Sequence, residues 1–168
     1  LPEGFAPAEE LRAALPAAAQ QVAYVGVAGT AGKTAAAALT AAVLQAAGFV
    51  TGLYRAGCEP LEQRVRINGD PVADALLCAA AETLSRSKPL PRAAAELAAA
   101  AACFGAAGCR LAVVELPDAG LAEALSHMPV CVVTSIGPDG VSRSVERSAA
   151  LAAGVMREGA ICVTAPEQ

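Results

Sequence analysis

The stretch Gly26-Val27-Ala28-Gly29-Thr30-Ala31-Gly32-Lys33-Thr34 constrains this chain more than any other. It overlaps the end of the β-branched, apolar run Val22-Ala23-Tyr24-Val25-Gly26-Val27, which reads as a fully buried strand. It leads into Lys33–Ala47, an alanine-rich helix that Gly48 stops as a C′ residue. A glycine-rich turn between a buried strand and a helix is the setting of a phosphate-binding loop, or P-loop. Small residues let backbone N–H groups approach phosphate oxygens, and the helix N-terminus adds positive potential. Gly29, Thr30, Ala31, Gly32, Lys33 and Thr34 are therefore the expected nucleotide-binding residues. In that role Lys33 neutralises the β- and γ-phosphates as the catalytic cation of the site, and the Thr34 hydroxyl ligates Mg²⁺. The general pattern asks for glycine where Val27 stands, so the match is imperfect.

The rest of the chain alternates strands and helices. A short helix over 7–15 precedes the first strand. Val50–Tyr54 reads as a second strand, and Arg64-Val65-Arg66-Ile67 alternates polar and apolar before Asn68-Gly69, a strong hairpin signal, with Pro71-Val72 on the return arm. Helices are expected over Ala73–Arg86 and Pro91–Ala107, then a strand at Leu111–Glu115 and a helix near Ala119–Ser126. A strand at Val130–Ser135, a helix over Ser144–Arg157 and a strand at Ile161–Thr164 complete the pattern. The expected fold is α/β: a doubly wound, mostly parallel sheet with the P-loop, helices on both faces and a small β-hairpin insertion. One domain accounts for 168 residues, with residues 1–20 as a helical lead-in.

Composition narrows the function. A net charge of −4, with Lys and Arg scattered, gives no surface for nucleic acid or anionic lipid. The apolar run around Ala98–Ala102 is too short to span a bilayer, and no basic segment precedes an apolar one as in a signal peptide. Six cysteines lie far apart without a C-x-x-C pair, which reads as reduced thiols in a cytoplasmic protein rather than a zinc site or disulfide framework.

A P-loop ATPase needs an acid near the phosphates. Glu115 closes the apolar run Leu111-Ala112-Val113-Val114, at the carboxyl end of a strand where ligands of open α/β sheets collect. It is the expected second Mg²⁺ ligand beside Thr34, with Asp118 as a less well placed alternative. His127, the sole histidine, precedes a strand and so belongs to the opposite edge, in a surface or packing role. Cys58 reads as an ordinary loop cysteine.

Four stretches resemble the Mur ligases, and among them folylpolyglutamate synthase / dihydrofolate synthase. They are Val27–Lys33 (VAGTAGK against VAGTNGK), Gly52-Leu53-Tyr54 with Arg64–Pro71 (against GLY…ERIRINGEPI), Leu111–Glu115 (against LAVLEVGLGGRLDATN) and Val132–Asp139 (against VITNIGLDHT). The resemblance implies the central ATPase domain of a ligase. Such an enzyme uses ATP and Mg²⁺ to activate a folate or pteroate carboxylate as an acyl phosphate, which the glutamate amine attacks. It also implies a separate C-terminal ligase domain, missing from these residues. The departures bear on catalysis: the family's metal-binding His is Gly140, its carbamylated Lys is Ala152, and its Ser-Pro-His-Leu loop is Arg55–Pro60. By that comparison the chain alone is expected to be inactive as a ligase, being incomplete or degenerate. The competing reading is a non-catalytic P-loop nucleotide-binding module; a third, an unrelated P-loop ATPase or kinase, is disfavoured by the Arg64–Pro71 hairpin.

Overall fold

The computed structural model describes residues 8–117, 119–138 and 144–165. Seven strands form one sheet in the order β4-β3-β2-β5-β1-β6-β7. Strands β1 (Ala23–Ala28), β2 (Thr51–Tyr54), β5 (Leu111–Glu115), β6 (Val130–Val133) and β7 (Ile161–Thr164) run parallel. Strand β3 (Val65–Ile67) pairs antiparallel with β2, and β4 (Asp70–Pro71) antiparallel with β3. The α/β expectation with a parallel core and a hairpin at one edge therefore holds.

Asn68 and Gly69 make the hairpin turn with positive φ of 50° and 87°, the conformation that Asn and Gly tolerate best. Helix α3 (Lys33–Ala46) covers one sheet face, where Ala37 and Ala41 pack against Val25, Val27, Leu53 and Val113. The opposite face carries α1 (Ala8–Ala14), α2 (Ala17–Gln20), α5 (Asp74–Leu84), α6 (Arg92–Ala106) and α7 (Val145–Ala153). Helix α6 is the centre of that layer, with Leu97, Ala98, Ala100, Ala101, Cys103 and Phe104 fully buried. An alanine-rich helix lies close to the sheet because its side chains are short, and Gly52 on β2 leaves room for the one bulky ring, Phe104.

Three differences from the sequence expectation have physical reasons. The four-residue helices α2 and α4 (Leu61–Arg64) lack enough residues for a periodic pattern. Ala119–Ala124 is a 3-10 helix, so the expected α-helix there is tightened. Arg64 was expected to open the hairpin strand; it instead ends α4, and its side chain is buried.

The chain reverses its winding at β1: β2 and β5 lie on one side and β6 and β7 on the other. The crevice at such a switch point, outside the carboxyl ends of the strands, is where open α/β sheets hold ligands. Among the described residues no helix is long and apolar enough to cross a membrane.

Gly52 shows how tightly β2 sits under α6. A Cβ there would stand 2.5 Å from Phe104 Cδ1 and 2.7 Å from its Cε1, and that ring is fully buried. Gly52→Ala is expected to cost about 1–3 kcal/mol through overpacking. Thermal melting followed by circular dichroism should drop several degrees, at ~2–4 °C per kcal/mol for a chain of this size. An unchanged midpoint would mean that the ring moves aside at no cost.

Candidate functional site

The glycine loop joins β1 to α3 at the carboxyl edge of the parallel strands. Gly29 and Gly32 shape it, with φ of 131° and 82°. A Cβ at Gly29 would collide with Thr134 Oγ1 and lie 3.1 Å from the Thr134 carbonyl oxygen, so the loop is pressed against the segment after β6. The contact is fastened by hydrogen bonds. Thr134 N–H donates to the Ala28 carbonyl at 2.9 Å, and its hydroxyl to the same oxygen at 3.1 Å. The Ser135 carbonyl accepts from Thr30 N–H (3.0 Å), Ala31 N–H (3.3 Å) and Thr30 Oγ1 (3.0 Å). Gly137 N–H donates back to Thr30 Oγ1 at 2.8 Å.

Two of the loop amides, those of Thr30 and Ala31, are thus satisfied within the protein. The donors left are at the helix end. The bond from Ala36 N–H to the Gly32 carbonyl, 3.0 Å, begins α3, so Gly32, Lys33, Thr34 and Ala35 have N–H groups without intrahelical partners. Gly32, the N-cap, is left-handed, and no side chain caps the helix. Fourteen residues of helix dipole end on those donors. Thr34 is exposed in this first turn. Lys33 is half-buried, its Nζ donating to the Gly29 carbonyl (2.8 Å) and the Thr30 carbonyl (3.4 Å). Val27, at the position where the general pattern has glycine, is a fully buried strand residue packed towards α3.

Glu115 pairs in register with Val27, at the end of β5 beside the loop. It is 1% exposed. Its Oε2 accepts from Ala56 N–H at 2.7 Å, while Oε1 is buried without a partner. A buried carboxylate oxygen with no donor is costly and invites a cation. Among the described residues no three His, Cys, Asp or Glu side chains gather as a metal cage. A hydroxyl and one carboxylate suit an ion such as Mg²⁺, which takes remaining ligands from water and substrate phosphates.

Sequence reasoning missed what holds Ala56. The guanidinium of Arg64, 1% exposed, donates through Nε to the Glu59 carbonyl (2.7 Å) and through Nη1 to the Arg55 carbonyl (3.2 Å), and pairs with Glu96 Oε1 at 2.9 Å. Arg92 Nε reaches the same Glu96 oxygen at 2.8 Å. A cleft of ≈ 250 Å³ opens next to this cluster, lined by Tyr54, Ala56, Gly57, Arg92, Glu96 and Pro117.

The remaining candidates fall elsewhere. The His127 carbonyl accepts from Tyr24 N–H at the start of β1, so His127 stands at the edge opposite Glu115. Cys58 is exposed, and all six cysteines are free thiols. Ala152 is buried in the last turn of α7, on a helix leading away from the carboxyl edge of β6. Asp118 and Gly140 lie outside the described residues.

No family model matches the chain, and no curated protein sequence matches it. Solved structures do. Folylpolyglutamate synthetase from Lactobacillus casei aligns at 26% identity and a TM-score of 0.80, over 98% of this chain and 43% of that one. An FPGS–AMPPCP–folate complex gives 26% identity and 0.80 over 94% and 42%. E. coli FolC in complex with DHPP and ADP gives 0.80 at 18% identity, over 96% and 46%. The fold is therefore that of an α/β nucleotide-binding domain. More particularly, the chain resembles the ATP-binding part of folylpolyglutamate synthases, and it spans less than half the length of the structures it matches.

The carboxyl of Glu96 is subject to opposed effects. Burial pushes its pKa up, but hydrogen bonds and charge from Arg92 and Arg64 outweigh that and hold it below the ordinary value. A carboxyl depressed in the folded state stabilises the fold above its unfolded pKa, about 4.3, and that contribution is lost as pH falls through the folded value. On acidification below about pH 4.3, wild type should therefore lose more melting temperature than Glu96→Gln. Parallel acid profiles for the two proteins would show that the ion cluster carries no linked stability.

Proposed function

We propose that this chain binds MgATP at the glycine loop, as the nucleotide-binding domain of a folylpolyglutamate-synthase-like ligase. The single observation that carries the reading is the uncapped N-terminus of α3 placed beside Glu115 and its unpartnered buried oxygen. Phosphate oxygens would be received by the N–H groups of Gly32, Lys33 and Thr34, with Gly29, Thr30 and Ala31 shaping the loop. Lys33 would leave the Gly29 and Thr30 carbonyls for the β- and γ-phosphates, a short swing for a flexible ammonium. The Thr34 hydroxyl and Glu115 would hold the cation, which supplies charge neutralisation during phosphoryl transfer. Residues 1–168 act as one ATPase domain in this reading, in the cytoplasm, where free thiols persist. The acceptor suggested by the likeness is a folate or pteroate carboxylate, since folate accompanies the nucleotide analogue in one of the matched complexes.

Calorimetry with ADP or a non-hydrolysable ATP analogue tests the site. Lys33→Ala is expected to keep the fold and weaken nucleotide binding by roughly tenfold or more, since hydrogen bonds to charged groups are worth about 1.5–3 kcal/mol. Glu115→Gln should reduce Mg²⁺-dependent binding and leave metal-free binding nearly unchanged. Equal affinity in wild type and Lys33→Ala would sink the loop assignment; a parallel fall of both binding modes in Glu115→Gln would make Glu115 a structural group.

A second reading, a nucleotide-binding module without ligase chemistry, is favoured by Ala152, an apolar core residue where the family carries its carbamylated lysine. With Gly140 in place of the family's histidine as well, neither of the two positions the family uses for a second cation carries a ligand in this sequence. Incubation with ATP, glutamate and folate or dihydropteroate is expected to give no polyglutamylated product by chromatography. Product from the unmodified chain would overturn that reading.

A further inference from the structure

We propose that Arg64 is a positioning residue for the cation ligand Glu115, acting through the loop 55–59 and the Ala56 N–H; this rests on the MgATP reading above. A guanidinium so completely buried must have its donors met, and where they go is informative. Nε and Nη1 bind the carbonyls of Glu59 and Arg55, the two ends of one loop. One rigid planar fork therefore spans the mouth of that loop. The third bond, to Glu96, provides the counter-charge that lets Arg64 remain ionised in the interior. Its guanidinium also lies 5.8 Å from the centroid of the Tyr54 ring, at the point where β2 enters the loop.

Inside the loop, Ala56 N–H aims at Glu115 Oε2. Among the described residues no other donor reaches the Glu115 carboxylate, whose second oxygen is bare. The carboxylate is thus oriented by one N–H, and that N–H by a loop whose ends are closed by Arg64. Arg64 is too deeply buried to touch a nucleotide or an acceptor. Lysine in its place could still pair with Glu96, but a single ammonium has no planar fork with which to bridge two carbonyls and a carboxylate. Groups that orient a metal ligand commonly govern metal affinity about 10–100-fold when they are changed. A residue that merely fills the core would lower thermal stability and leave the metal dependence of binding intact.

The test is the ratio of ADP dissociation constants in EDTA and in Mg²⁺, together with the melting temperature. It is measured for wild type, for Arg64→Lys, and for a protein in which Ala56 is replaced by lactic acid. That replacement exchanges the Ala56 N–H for an ester oxygen and weakens the Arg55 carbonyl as an acceptor, leaving every side chain in place. Both variants should bind metal-free ADP within about twofold of wild type and lose about tenfold or more of the Mg²⁺ enhancement. A folded Arg64→Lys that keeps the full enhancement overturns the proposal. Should Arg64→Lys fail to melt cooperatively, the ester protein decides: loss of enhancement supports the relay, and full retention overturns it. Wild type without any Mg²⁺ enhancement would instead refute the MgATP reading, and this inference with it.

Discussion

One carbonyl group, that of Ser135, governs how the functional edge is assembled. It receives the amides of Thr30 and Ala31 and the Thr30 hydroxyl, so the turn after β1 is tied to the turn after β6. The two strands are already in register from Val25 with Val130 to Ala28 with Val133, and Thr134 carries the pairing one step further onto Ala28. Closing the loop in this way requires a residue without Cβ at Gly29, because Thr134 occupies that space. The start of α3 then follows from the loop. A helix anchored at Gly32 and packed on β5, β2 and β1 has no freedom to shift its first turn. Its free N–H groups therefore stand beside the end of β5, where Glu115 lies. The fastening also divides the loop's labour, with some amides holding the loop and the rest available to an anion.

Much of the framework was legible in the sequence because its elements carry their own local signals. The run Val22–Val27 is apolar and β-branched, Gly48 stops α3 with a φ of 86°, and Asn68-Gly69 makes the turn its dipeptide suggests. The parallel sheet follows from strands separated by helices, and Glu115 stands out because a charge closing an apolar strand is conspicuous. What stayed hidden depends on contacts between distant segments. The alternation Arg64-Val65-Arg66-Ile67 suggests that both arginines share one exposed row of a strand. Yet the backbone is still helical at Arg64, and its side chain turns inward to meet Glu96, thirty-two positions further on. No periodicity records such a meeting. The role of Ser135 was invisible for a similar reason, since it acts through its backbone and any residue type offers a carbonyl. Length explains α2 and α4, each a single turn of four residues whose existence is decided by packing.

Glu96 and Glu115 have contrasting surroundings. Both are carboxylates tucked against the same loop, and both have been taken largely out of water. Glu96 is met by two guanidinium groups, and its carboxyl is held below the ordinary range, the behaviour of an ion whose surroundings favour its charge. Glu115 is buried more deeply and receives one backbone N–H. Nothing in the fold requires that asymmetry, since a glutamine or an aliphatic side chain would fit the end of β5 at lower cost in desolvation. A buried carboxylate left half-satisfied, on a strand end next to the strand whose loop leads to an uncapped helix end, is poorly explained by stability alone. The proposed cation and phosphate would complete it. The arginine pair supports the same arrangement from behind, because the positive charge needed inside the fold is spent on Glu96 and on loop carbonyls. Among the described residues none of it is directed at Glu115, the residue that the proposed metal site would use.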